Sequence, residues 1–355
     1  MVVRVGINGF GRIGRNVLRA AKAGGADLEF VAINDLGSVE TMAHLLRYDT
    51  VAGPYPGSVR STKSSITVDG DRMRVLSERN PADLPWGELG VDVVIESTGR
   101  FRTREAAGDH LEAGARKVVI SAPSPDGDAT FVVGVNDDGY NPARHHVVSN
   151  ASCTTNCLAP MAHVLETAFG VEQGLMTTVH AYTGDQNLVD GPHRDARRAR
   201  AAAVNVVPTT TGAAAAVGQV LTKLDGKFDG KAVRVPVPAG SLVDLTVLLK
   251  KNTDVDALNA AFQDAAQTGP LRKILDYSNE PLVSSDIIGR PASCVFDSGM
   301  TQGSGRLFKV FGWYDNEVGY SHRLVDLAVL VGKKKAPRKR SRTTKPARQA
   351  ATKYA

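Results

Sequence analysis

The sequence predicts an α/β fold: a parallel sheet wound by helices, followed by a second domain of sheet plus helix. Three features predict it. A strand-like opening runs through a glycine-rich turn into a helical segment. Two later apolar runs, residues 91–96 and 117–120, stop at small hydroxylated or glycine-containing loops. Beyond Asn150 the pattern changes to one long helical stretch and several alternating segments. A length of 355 residues suits two domains, each large enough to bury its own core.

Taken in order, residues 2–7 read as a strand, 6–14 as the glycine-rich turn, 15–22 as a helix and 28–33 as a second strand, a βαβ beginning. The runs at 91–96, ended by Ser97-Thr98-Gly99, and at 117–120, ended by Ser121-Ala122-Pro123, have the unbroken apolar character of strands buried on both faces. Their carboxyl ends are where an open α/β sheet holds its ligand. Ser152 caps a helix expected to reach about Ala168, and residues 175–181, 232–236 and 243–250 are strand-like. Between the first two of these lies the long irregular stretch 183–208, rich in Arg, Ala, Gly and Pro; loops of that length are functional or interfacial. Residues 321–331 form a closing helix. The expected division is a first domain at 1–150, a second at 151–317, a C-terminal helix at 318–332 that returns to the first, and a basic tail at 333–355 read as disordered when free. No repeat of fixed period argues for a solenoid or propeller.

Composition narrows the function. Hydrophobic residues make up 42% and charged residues 23%, with no apolar run near the ~18 residues of a membrane helix. Three cysteines do not make a secreted disulfide framework, and Met1 runs straight into Val-Val-Arg-Val-Gly-Ile without a leader pattern, so a reducing, cytoplasmic setting is expected. The net charge of +6 points to nucleic acid until it is located: ten bases and no acid lie from Lys333 to Ala355, leaving the body mildly acidic. The tail is a candidate for an anionic partner, although its single aromatic residue, Tyr354, gives no support for base stacking.

Gly9-Phe10-Gly11-Arg12-Ile13-Gly14 follows a strand and opens a helix, the setting in which such glycines let a pyrophosphate approach free backbone N–H groups. Asp35, 21 residues after Gly14, stands where a carboxylate accepts from an adenosine ribose and repels a 2′-phosphate, which favours NAD over NADP. Cys153 sits at the start of the helix after Ser152, where the helix dipole and unpaired amides favour thiolate, and is the candidate nucleophile. Cys157 reads as a small buried residue, and no further ligands argue for a metal. Thiolate chemistry needs a base; by position alone His180 is either that base or a satisfied structural histidine. His44, His110, His163 and His193 fall in helical or polar stretches.

These motifs, with Ala151-Ser152-Cys153-Thr154-Thr155-Asn156-Cys157, the stretch 177–183, Pro208-Thr209-Thr210-Thr211-Gly212-Ala213-Ala214, Arg234-Val235-Pro236 and Trp313-Tyr314-Asp315-Asn316-Glu317, closely resemble glyceraldehyde-3-phosphate dehydrogenases from about Val3 to Val331. The resemblance implies a Rossmann-type dinucleotide-binding domain plus an α+β catalytic domain with a mixed or antiparallel sheet. It implies NAD-dependent oxidation of glyceraldehyde 3-phosphate through a thiohemiacetal and a thioester on Cys153, with His180 as base and inorganic phosphate taking the acyl group. It carries NAD contacts to Gly9, Gly11, Arg12, Ile13, Asp35, Arg79, Ser121 and Asn316, the last at the nicotinamide amide. Thr183, Asp185 and Arg234 are implied around the substrate phosphate, and Ser152, Thr154, Arg198, Thr211 and Gly212 around the attacking phosphate. It further implies a homotetramer in which stretch 183–208 packs across subunits. An erythrose-4-phosphate dehydrogenase is the close alternative, and a protein binding anionic polymers through its tail the distant one. The tail is the main departure from the family pattern; Val318 and His322, where many members carry other residues, hold no proposed chemical role.

Overall fold

A computed structural model describes residues 2–333 of the chain; the basic-tail expectation falls, apart from Lys333, outside the described residues. The first half builds a nine-stranded sheet from β1 (Val3–Asn8), β2 (Leu28–Asn34), β3 (Val59–Ser61), β4 (Ser65–Val68), β5 (Asp71–Leu76), β6 (Val93–Glu96), β7 (Lys117–Ile120), β8 (Ala129–Thr130) and β9 (Val147–Ser149). Their spatial order is β3-β4-β5-β2-β1-β6-β7-β9-β8, parallel except for the β3–β4–β5 meander at one edge. Every residue of β6 and β7 is buried, as their unbroken apolar runs require. The meander left no such run: its residues are short, Arg- and Ser-rich and half exposed. Helices α1 (Arg12–Ala23), α2 (Val39–Arg47) and α3 (Arg104–Glu112) accompany this sheet. Hydroxyls of Ser38 and Thr103 cap the second and third by accepting from the Thr41 and Ala106 amides. From β1 the chain lies against β2 on one side and β6 on the other, and a crevice opens at their carboxyl ends.

The first helix starts three residues earlier than the sequence pattern predicts. Gly14 belongs inside its first turn because a Cβ there would lie 2.3 Å from the Gly9 carbonyl oxygen. The third glycine serves close packing of helix on turn, not the turn itself.

The second sheet contains β10 (Val171–Ala181), β11 (Val207–Thr210), β12 (Phe228–Val235), β13 (Ser241–Thr253), β14 (Leu275–Ser278), β15 (Cys294–Asp297) and β16 (Gln302–Tyr314), in the order β11-β12-β10-β13-β16-β15-β14. It is mixed: β10–β12 and β14–β15 are parallel, and β10–β13, β13–β16, β11–β12 and β15–β16 antiparallel. Helices α4 (Cys153–Ala168), α5 (Ala213–Val220), α6 (Val255–Gln267) and the short α7 (Ser284–Ile287) lie in this half, and the core joins Leu158, Met161 and Leu165 of α4 and Phe262 of α6 to Val243, Leu245, Phe308 and Val310 of the sheet. The alternation along β13 shows what the strand pattern encodes, one face in and one face out. On the outer face Leu175 is 68% and Leu307 57% exposed.

A final helix, α8 (Val318–Lys333), returns to the first half and puts Tyr320, Leu324, Leu327, Ala328 and Val331 into the core that holds Val3, Val17 and Leu18. It extends the alternating stretch 321–331 at both ends and matches the expected returning helix at 318–332 to within one residue. Among the described residues no helix is long and apolar enough to cross a membrane.

Candidate active site

The turn from β9 into α4 places the nucleophile candidate. Ala151 adopts φ 56°, a left-handed conformation costly to a residue with a Cβ, and its carbonyl is held by the Tyr320 hydroxyl at 2.9 Å. Ser152 then caps α4, accepting from the Thr155 amide at 2.9 Å, so that Cys153 is the first helical residue. Across the cleft, His180 near the end of β10 brings Nε2 to 3.4 Å from the Cys153 sulfur. Its Nδ1 lies 2.7 Å from the Ala181 carbonyl, which only accepts, and 2.9 Å from Arg234 Nη1, which only donates; because Nη1 also reaches that carbonyl, at 3.1 Å, the tautomer with the proton on Nδ1 serves all three groups and leaves the Nε2 lone pair facing sulfur. The pair that the sequence left open is therefore in contact.

Arg234 on β12 is the register partner of His180. It donates to the Ala181 carbonyl at 3.1 Å and lies within 3.4 Å of the Thr183 hydroxyl, while its Nε is buried without a partner. Burial, reinforced by Arg234, lowers the His180 pKa to about 3, so the imidazole is neutral. Burial pushes the Cys153 thiol up, against Arg234 and the Thr154 amide, which pull it down. The sequence led us to expect a thiol favouring thiolate at the helix start. The helix terminus does act in that direction, but desolvation outweighs it.

Cys153, His180 and Arg234 line one cleft of about 660 Å³ with Ser152, Thr154, Thr183, Asp185, Arg198, Thr211 and Gly212, together with Arg12, Ile13, Ser121 and Asn316. The structure thus gathers the expected substrate residues, but their polar atoms differ in freedom. Arg198 is held by an ion pair with Asp185, by Thr209 Oγ1 at 3.0 Å and by the Thr210 carbonyl at 3.1 Å. Burial raises the Asp185 pKa, but the Arg198 guanidinium more than offsets this and keeps its carboxyl below the usual range. Thr154 has its hydroxyl on Tyr314 at 2.8 Å, and Thr211 accepts from the Ala213 amide at 3.1 Å. Gly212 caps α5 with no side-chain bond.

A second cleft of about 340 Å³, which shares Ser97 with the first, is lined by Gly9, Gly11, Asp35 and Arg79. Gly11 caps α1 without a side-chain bond, and a Cβ built on it meets nothing within 4 Å, so the helix start faces open space. The Asp35 carboxylate accepts from the Phe10 amide at 2.8 Å and the Gly37 amide at 2.9 Å, fixing the turn it borders. The Arg12 guanidinium is engaged by Asp49 and Glu317.

Several contributors escaped sequence reasoning. Tyr314 joins the Thr154 and Thr178 hydroxyls at 2.8 Å each and meets the His180 ring edge-on. Ser241 bonds to Asn316. Beneath the second cleft lies a buried polar chain: Trp86 Nε1 donates to His110 Nδ1 at 3.0 Å, His110 Nε2 then donates to Glu96 at 3.1 Å, and Asn8 joins Glu96 to Asn34. His110 is wholly buried there, a role its polar stretch did not signal. Cys157 is the small buried residue expected, its sulfur donating to the Gly312 carbonyl at 3.5 Å. Among the described residues no group of three or more His, Cys, Asp or Glu could hold a metal.

Comparison with known proteins bears on the same two halves. The family model described as the glyceraldehyde 3-phosphate dehydrogenase NAD binding domain matches residues 3–104, and the C-terminal domain of that family matches 152–316. A glyceraldehyde-3-phosphate dehydrogenase of Streptomyces coelicolor is 61% identical over 333 residues, covering 94% of this chain and 99% of its own. One from Streptomyces avermitilis is 59% identical with the same coverage, and one from Mycobacterium avium 57% over 340 residues, 94% of this chain and 99% of its own. With both domains matched in order and the thiol–imidazole cleft between the two sheets, this chain belongs to the glyceraldehyde-3-phosphate dehydrogenase family.

Proposed function

We propose that this protein oxidises glyceraldehyde 3-phosphate with NAD and inorganic phosphate to 1,3-bisphosphoglycerate, using Cys153 as nucleophile and His180 as base. The observation that carries the reading is the 3.4 Å contact of thiol and neutral imidazole in a cleft that Arg198 and Arg234 also line.

The chemistry follows from those groups. His180 Nε2 takes the thiol proton as sulfur adds to the aldehyde carbon, and returns it to the alkoxide to give a thiohemiacetal. On oxidation the C–H bond leaves as hydride and the O–H proton goes again to Nε2, so a thioester remains on Cys153. Phosphate oxygen then adds to the thioester carbonyl, the C–S bond breaks, and His180 reprotonates the departing thiolate. NAD, when bound, supplies the hydride acceptor. A cysteine suits this sequence because the thioester keeps the acyl-transfer potential that a carboxylic acid would lose.

Two anions must be held near Cys153. Arg234, with a buried unpartnered Nε and the Thr183 hydroxyl beside it, suits the substrate phosphate. Asp185 serves by fixing Arg198, since a carboxylate cannot itself bind an anion. Arg198, Ser152, Thr211 and the free amides at Gly212 suit the attacking phosphate, with Thr154 contributing through its backbone. For NAD, the open helix start at Gly11 and the amides of Arg12 and Ile13 fit a pyrophosphate, beside the Gly9 turn that packs on the 97–98 backbone; Asp35 fits the ribose, Arg79 and Ser121 border the groove, and Asn316 suits the carboxamide. This assigns 1–150 to NAD, 151–317 to catalysis and 318–332 to the returning helix. The exposed Leu175 and Leu307 on the outer face of the second sheet fit burial in a homotetramer, and the cytoplasm is the compartment such chemistry implies.

The test is NADH formation by the purified protein with and without inorganic phosphate, with erythrose 4-phosphate as control. Sustained turnover of glyceraldehyde 3-phosphate that requires phosphate is expected; turnover indifferent to phosphate would overturn the phosphorylating reaction.

A further inference from the structure

Ser241 opens β13 opposite Tyr314 and is wholly buried. Its oxygen accepts from the Ala181 amide at 3.1 Å, and it lies 2.9 Å from Asn316 Oδ1. A backbone N–H can only donate, so at that contact the serine oxygen is an acceptor. The single hydroxyl proton therefore remains for a second partner. At a site with no exposure to water it needs one, because an unsatisfied buried hydroxyl is costly. Asn316 Oδ1 is the acceptor within reach. The two ends of an asparagine amide are nearly alike in shape, so shape alone leaves its orientation open. The serine proton removes that freedom: oxygen faces Ser241, and the NH₂ is left for the cleft that Asn316 lines with Cys153 and His180.

We infer that Ser241 is a positioning residue that fixes the polarity of the Asn316 amide, so that the cleft offers a hydrogen-bond donor to the carbonyl oxygen of the nicotinamide carboxamide. The inference rests on the NAD role given to Asn316 above and deepens it. It also ties the two sides of the reaction together. The chain Ala181–Ser241–Asn316 begins at the residue after His180, so the strand that carries the base also sets the group proposed to hold the cofactor ring.

The experiment measures binding with no aldehyde present. The full chain, Ser241→Ala, Asn316→Ala and the double variant are titrated with NAD and, separately, with ADP-ribose, which has the adenosine and pyrophosphate but no nicotinamide. Loss of one neutral hydrogen bond should weaken NAD binding to Ser241→Ala by roughly three- to tenfold. ADP-ribose binding should be unchanged, and Ser241→Ala should add nothing once Asn316 is already alanine. Equal weakening of NAD and ADP-ribose would mark a general structural defect and overturn the proposal. So would unchanged NAD affinity, or a full Ser241→Ala effect in the Asn316→Ala background. A wild-type chain that binds neither nucleotide would instead overturn the NAD assignment itself, which separates the two failures.

Discussion

At the scale of single residues, the chemistry rests on one proton shared by Cys153 and His180. Cys153→Ser should lower oxidation by roughly 10³-fold or more, because a serine hydroxyl is a far weaker nucleophile. With phosphate omitted, mass spectrometry of acid-quenched protein should find an acyl adduct on wild type and none on the variant. His180→Asn should lower kcat by about 10²- to 10⁴-fold. It should also move alkylation of Cys153 by iodoacetamide to higher pH, since burial already pushes the thiol up and the neighbouring acceptor is gone. An unmoved profile would show that the imidazole does not take the thiol proton. Cys153 was legible in the sequence because a helix start is a local feature. His180 and Arg234 needed the family resemblance, since their meeting depends on pairing of β10 with β12, 54 residues apart. Tyr314 and Ser241 were invisible: each acts through neighbours set by strand register, and nothing in their immediate sequence records it.

At the scale of elements, turns and caps hold the two clefts in place. Gly9 has φ 93°, and a Cβ there would lie 2.7 Å from the Thr98 backbone nitrogen, so Gly9→Ala must displace the loop after β6. It should cost at least ~1–2 kcal/mol of stability from the backbone conformation alone, and weaken NAD binding more than a surface Gly→Ala at Gly108. Denaturant melts and NAD titration check both parts. Ser152→Ala removes the cap of α4 and should cost about 1 kcal/mol, a melting shift of roughly 2–4 °C, while loosening the residue that carries the thiol. The central strands and α4 were readable because unbroken apolar runs and a capping serine are strong local signals. The edge meander was not, because its half-exposed residues carry no comparable periodicity. The start of α1 was misplaced for another reason: glycine reads as turn, while here Gly14 is helical and small for the sake of packing.

At the scale of the whole molecule, buried neutral histidines tie stability to pH. His180 has its pKa lowered to about 3 from an ordinary value of 6.5. Above pH 6.5 it is neutral in both states and contributes no slope. As pH falls from 6.5 towards 3 the unfolded chain gains a proton that the native state refuses, so stability drops by up to about 1.4 kcal/mol per pH unit. His145, His163 and His322, all lowered chiefly by burial, act in the same sense. Urea midpoints measured between pH 7 and 4 should fall, and less steeply in His180→Asn. Assembly is testable at the same scale: Leu175→Glu with Leu307→Glu replaces the two exposed leucines of the outer face by charge, and sedimentation velocity should show a smaller species than wild type. The returning helix has a consequence for biosynthesis. All nine strands of the first sheet have been made once Ser149 is translated, yet Tyr320, Leu324, Leu327 and Val331, which complete that sheet's core, are added more than 150 residues later. A nascent chain therefore carries an unfinished nucleotide-binding half through most of its synthesis, with apolar surface open to chaperones, and the half closes only as the last helix arrives.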